Sequence, residues 1–139
     1  MQELLPHQFT DRLTPLFEGV VREGGKKLDP GFFGRWRESM ESGLARTWET
    51  GGCVLGALFV NDLFTNDFRA FVVFWFADPA VRGTALPGRL FRLFEAAARD
   101  AGCVDIQSAA HQSFQPVSRK LGYLKHGFHM SETVFCKTL

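Results

Sequence analysis

The chain has 139 residues, enough for one compact domain built on a single core. It is 45% hydrophobic and 22% charged, and its formal net charge of +1 gives no general electrostatic reason to expect a nucleic-acid partner. Cys53, Cys103 and Cys136 form neither a CxxC pair nor a secreted disulfide framework, and Met1 to Pro6 lacks the leader of a signal peptide, so a reducing cytoplasm fits best.

Taken in chain order, Phe9, Leu13, Leu16, Phe17, Val20 and Val21 recur at spacings of three and four and predict an amphipathic helix stopped by Gly24 and Gly25. Asp29-Pro30 has the form of an N-cap with proline at the first helical position. It opens a second helix carried by Phe32, Phe33, Trp36, Met40 and Leu44, fraying from Gly43. This opening part shows no clear first strand. Thr47 to Glu49 and Gly52 to Leu63 then read as strands. Thr65-Asn66-Asp67 supplies turn chemistry, and Ala70 to Ala77 is a continuous apolar strand, too short to cross a membrane, that pairs with the preceding one as an antiparallel hairpin.

Asp78-Pro79 ends that hairpin. A helix is expected from Pro87 to about Ala101, burying Leu90, Phe91, Leu93, Phe94, Ala97 and Ala98, with Gly102 as its C-cap. Val104 to Ser108 is a brief strand, Phe114 to Leu121 a short helix, and Tyr123 to His126 and Thr133 to Lys137 form a closing hairpin. The order is that of an α/β (α+β) domain with no linker and no internal repeat. Fifteen Phe and three Trp against a single Tyr imply a bulky aromatic core, or else an apolar face that meets a partner.

The chemistry concentrates between Phe76 and Phe91, which run strand, proline stop, glycine-containing turn, helix. The first N–H groups of a helix have no partner within it, and the helix dipole adds partial positive charge, so a phosphate placed there is held by the main chain. Gly83 and the small Ala85 allow close approach to the backbone, and Arg82 and Arg89 can add charge-assisted contacts. There is no GxGxxG and no GKS or GKT, and the preceding strand belongs to an antiparallel pair, unlike a Rossmann or P-loop unit.

The stretch Asp78-Pro79-x-x-Arg82-Gly83-Thr84-Ala85-Leu86-Pro87-Gly88-Arg89-Leu90 resembles the acetyl-CoA motif of the GNAT N-acetyltransferases. Ser118-Arg119-Lys120-Leu121-Gly122-Tyr123 is similar to a downstream family motif, and the ending from Glu132 to Leu139 resembles the closing strand of small phage and prophage-type members. The resemblance implies a mixed, mainly antiparallel sheet splayed at its centre and flanked by helices. It implies pantetheine beside Trp75, Phe76 and Ala77, and pyrophosphate on the turn from Arg82 to Gly88 through Arg82, Gly83, Thr84, Ala85 and Gly88. The activity implied is acetyl transfer from acetyl-CoA to a primary amine by direct attack.

The sequence departs from the family pattern in places that matter. Pro87 stands at the motif's third glycine and removes one N–H donor. Ser118 stands where the family often has an acidic tyrosine, and His111 where it has asparagine, so His111 and Ser118 are the candidate catalytic residues. Tyr123 falls at a core aromatic position. Phe71 lies on a strand where many family members carry a proton-relaying glutamate, but Phe71 to Ala77 has no carboxylate, which leaves Glu49 and Asp62 to act through water. His126 and His129 with His111 form no metal-ligand pattern, Cys103 and Cys136 read as buried thiols, and Arg35, Arg37 and Arg46 read as a solvated helix face. A non-catalytic binding or phage structural protein on the same fold is the competing expectation, and a homodimer is compatible with either.

Overall fold

The computed structural model describes residues 2–108, 125–129 and 137–139. Its first regular element is a strand the sequence does not announce. β1 (Gln2–Glu3) has only two residues, both exposed, and pairs antiparallel with β2 (Ala45–Thr50). Nothing apolar marks it. It is held by that pairing, by Leu4 N–H donating to the Thr47 carbonyl at 2.8 Å, and by the Arg46 guanidinium clasping both oxygens of Glu3 at 2.6 and 2.8 Å.

The first predicted helix is broken at its start. Two 3₁₀ turns, Pro6–Gln8 and Asp11–Leu13, precede α1 (Thr14–Glu23), which ends at Gly24 as expected. In α2 (Phe32–Glu41) the Asp29 carboxylate accepts from Gly31 N–H at 3.1 Å, ahead of the helix. Phe9, Phe17, Phe33 and Trp36 meet on one side of the sheet, where Phe74 closes the cluster against Phe17 at 5.0 Å and Trp36 at 4.9 Å between ring centroids. Much of the Phe-rich composition therefore serves a core.

Among the described residues the sheet has the order β1-β2-β3-β4-β5. The two-residue turn Gly51-Gly52 joins β2 to β3 (Cys53–Asn61), and β3 pairs antiparallel with β4 (Phe68–Ala77) over its whole length. β5 (Asp105–Ser108) runs parallel to β4, as the interposed α3 (Leu86–Asp100) requires. Leu90, Phe91, Phe94 and Ala98 bury α3 against the opposite face of the sheet from α1 and α2. Leu93, read as part of that buried side, is 38% exposed, because it lies off the stripe set by 90, 94 and 98. The strand expected over Tyr123 to His126 is also corrected at its end: Lys125 has helical backbone and His126-Gly127 form a turn. The residues from 109 to 124 and from 130 to 136 lie outside the described part. They include the expected helix Phe114 to Leu121 and most of the closing hairpin.

One irregularity sets the geometry of β4. Gly56 pairs with Phe74 and Ala57 with Val72, so Val73 is an extra residue, a β-bulge. The bulge inverts the facing pattern: Ala70 and Val72 face α3 before it, Trp75 and Ala77 after it. Phe74 and Phe76 are thereby turned toward α1 and α2. The Phe74 ring then lies directly over Gly56, where a Cβ would stand 2.2 Å from Phe74 Cζ.

Replacing Gly56 with alanine is therefore expected to lower stability by about 1–3 kcal/mol through overpacking. The measure is a lower urea midpoint at unchanged slope. In a chain that already carries Phe74→Leu the same replacement should cost less. Equal costs in both backgrounds contradict this packing.

Candidate functional site

The end of β4 leads into a turn that its own main chain holds in shape. Asp78 N–H donates to the Gly52 carbonyl at 2.7 Å, extending the hairpin by one residue. The Asp78 carbonyl accepts from Val81 and Arg82, and its carboxylate accepts from Ala80 N–H at 2.9 Å. Val81 packs against Gly52, so the β2–β3 turn buttresses the loop. Thr84 Oγ1 donates to the Val81 carbonyl at 2.6 Å and accepts a longer bond from Leu86 N–H.

Gly83 sits at φ +79°, a conformation that side chains disfavour, and open space surrounds the position a Cβ would take. Among the described residues, the N–H groups of Gly83, Ala85 and Gly88 meet no acceptor. Pro87 occupies the first helical turn, where a missing N–H disturbs no helix bond. The first turn of α3 carries no acidic residue, and Ala85 offers no side-chain cap. The result is a half-exposed start to a fifteen-residue helix, with donors on and just before it that are unpartnered among the described residues.

Trp75, Phe76 and Ala77 stand on β4 just upstream. The Trp75 ring lies on Phe91 of α3 at 4.9 Å, Phe76 packs on Phe17 of α1 at 5.3 Å, and the Ala77 carbonyl accepts from Arg82 Nε at 2.8 Å. Arg82 Nη2 reaches Glu23 at the end of α1, also at 2.8 Å. Gly88 lies beneath the His126 imidazole, whose Nε2 would be 3.5 Å from a Cβ there. His126 stacks on Phe91 at 4.8 Å and meets Trp75 at 5.6 Å. Burial, and then the neighbouring Arg92, hold its pKa below the ordinary value, against a smaller opposite pull from Glu95. This histidine beside the turn was not singled out for the site by sequence, because no spacing rule links it to Gly88.

The two carboxylates expected to relay protons are both engaged. Glu49 accepts from both Nη atoms of Arg12, with Nη1 at 2.6 Å. Asp62 caps the β3–β4 tip, accepting from Thr65 and Phe64 N–H, and it pairs with Arg69 at 3.1 Å. The two backbone hydrogen bonds, Thr65 first, hold its pKa below the usual value. Phe71 is half-exposed on the α1–α2 side of β4.

His111, Ser118, Tyr123 and Cys136 lie outside the described residues. Arg35, Arg37 and Arg46 do not share one solvated helix face. Arg46 is on β2, its guanidinium over Trp48 and Phe59, while Arg35 pairs with Asp29 and Arg37 donates to the Phe9 carbonyl. The Cys53 thiol is pushed up to about 11 by burial, and Cys103 is raised for the same cause. A cavity of about 340 Å³ lies elsewhere, between the C-terminal half of α3, β5 and residues 126–129. No helix among the described residues is long and apolar enough to cross a membrane.

Solved structures share this architecture throughout. The chain has a GNAT-like fold. A predicted acetyltransferase from Clostridium acetobutylicum, solved with acetyl-CoA, superposes with a TM-score of 0.76 at 13% identity, over 99% of this chain and 94% of that one. An aminoglycoside acetyltransferase from an uncultured soil metagenomic sample, in complex with sisomicin, gives 0.75 at 11% identity, over 99% and 94%. A transcriptional regulator from Bacillus halodurans C-125 gives 0.76 at 16% identity, over 99% and 97%. At these identities the likeness establishes the fold. No family model matches the sequence, and no curated protein matches it. On the GNAT-like fold, the Asp78-to-Gly88 turn is the strand-to-helix connection after the fourth strand.

A depressed Asp62 stabilises the fold above the ordinary carboxylate value of 3.8, and that contribution is lost as pH falls through the folded-state value. Asp62→Asn should therefore be less stable than the parent at pH 7, with a smaller gap at pH 3. Urea unfolding at the two pH values reads this. A gap that stays constant contradicts the capping role.

Proposed function

We propose that the chain binds acetyl-CoA and transfers its acetyl group to a primary amine. The observation that carries this reading is the turn itself: Gly83, Ala85 and Gly88 bear backbone N–H groups, at and just before the start of α3, that meet no acceptor among the described residues. Such donors match the oxygens of a diphosphate, and the open space over Gly83 lets a ligand reach the main chain. On this reading a pantetheine arm descending from that diphosphate runs along β4 beside Trp75, Phe76 and Ala77. Acetyl-CoA supplies an activated thioester when bound. The protein's part is to hold that thioester and the amine together, a contribution that can reach several kcal/mol on its own.

Arg82 and Thr84 complete the set of residues that the motif suggests at the turn. His111 and Ser118 remain the proposed acid–base residues. A second reading, a GNAT-like protein that binds without catalysing, is favoured by one specific observation: Glu49 and Asp62 are committed to Arg12, Arg69 and backbone donors, so neither is poised to take a proton. An amine panel separates the two readings through release of free CoA thiol.

Titration calorimetry is expected to show acetyl-CoA binding well below millimolar. Gly83→Glu should weaken it at least a hundredfold, because a carboxylate then stands where phosphate is expected. Its cost to folding should be about 1–2 kcal/mol, from forcing a side chain into left-handed backbone. Equal affinity in that variant and the parent places the cofactor somewhere else.

A further inference from the structure

The Arg82 side chain is already used, in two directions, by the protein itself. Its Nε donates to the Ala77 carbonyl at 2.8 Å, folding the side chain back along the strand that precedes the turn. Its Nη2 donates to Glu23 Oε1 at 2.8 Å, across 59 residues of sequence. Both side chains of that pair are about two-thirds covered, at 29% and 32% exposure. A guanidinium held at both ends in this way is a strut.

Glu23 gives the strut its purpose. It is the last residue of α1, where a negative side chain opposes the helix dipole, and Arg82 supplies a compensating charge. The same helix is pinned to β4 further along by Phe17, which packs on Phe74 and Phe76. The strand end, the turn and the α1 terminus thus form a triangle with Arg82 along one side.

We propose that Arg82 is a positioning residue, which fixes the turn against α1 through Glu23, and not a phosphate ligand. This deepens the acetyl-CoA reading and rests on it: cofactor affinity would be set in part by the seating of α1. It departs from the direct phosphate contact that the motif alone suggests for this arginine.

The two roles differ in the sign of one effect. If Arg82 gripped phosphate, Glu23 would compete for it, and Glu23→Gln would tighten acetyl-CoA binding. As a strut, Arg82 needs Glu23, so Glu23→Gln and Arg82→Gln should each weaken binding three- to tenfold. The double variant should be no weaker than the worse single one. Arg82→Lys should behave like Arg82→Gln, since one ammonium cannot span both partners. Calorimetry on the full chain gives these affinities, and amide hydrogen exchange at Val81, Arg82 and Thr84 gives a second readout that needs no ligand. Faster exchange there in both single variants, with the rest of the fold protected as in the parent, is the expected result. Tighter binding by Glu23→Gln, full rescue by Arg82→Lys, unchanged affinity in both single variants, or unchanged exchange each overturns the proposal. Should the parent itself bind no acetyl-CoA, the cofactor reading fails, while the exchange rates still decide whether Arg82 braces the turn.

Discussion

The first amides of a helix have no carbonyl behind them, and among the described residues α3 meets this ordinary deficit only in part. Most exposed helix starts are capped by a serine, threonine, aspartate or asparagine side chain. Here the cap position is Ala85, the first turn has no acid, and one of its positions is proline. Thr84 donates its hydroxyl within the turn and accepts one long bond from Leu86 N–H. Among the described residues the donors of Gly83, Ala85 and Gly88 consequently meet no acceptor, in a turn whose remaining N–H groups are bonded. A rigid frame around unsatisfied donors is what an anion-binding loop requires, since the ordering is done before the ligand arrives.

The rest of the molecule can be understood as the support for that frame. The bulge at Val73 rotates the end of β4, so that Trp75 and Ala77 face α3 while Phe74 and Phe76 face α1. Without the extra residue, those faces would be exchanged and the strand would deliver the opposite side chains to each core. Gly56 makes room for the ring that the rotation displaces. The Gly51-Gly52 turn then braces the loop from the neighbouring hairpin through Val81.

Much of this was legible in the sequence. The hairpin of β3 and β4, the start of α3 and the glycine turn between them follow from apolar runs bounded by Asp78-Pro79 and from the periodicity of Leu90, Phe91 and Phe94. What was not legible has physical causes. β1 is two exposed polar residues held by edge pairing and by the Arg46–Glu3 ion pair, so hydrophobic patterning carries no trace of it. The bulge is invisible because both neighbours of Val73 are apolar, and a run apolar on both faces hides a change of phase. The ion pairs of Arg12 with Glu49 and of Arg82 with Glu23 join residues 37 and 59 apart, beyond any local rule. They bear most on the site, since they give Glu49 and Arg82 each a partner within the fold.

The anion site rests on three amides, and solution NMR reads amides one at a time. In a titration of ¹⁵N-labelled protein with acetyl-CoA, the backbone signals of Gly83, Ala85 and Gly88 should move most, downfield in the proton dimension as hydrogen bonds form. S-acetylpantetheine, which lacks the diphosphate, should leave them nearly still. Shifts concentrated along β5 and the C-terminal half of α3, with those three signals unmoved by acetyl-CoA, would contradict the account.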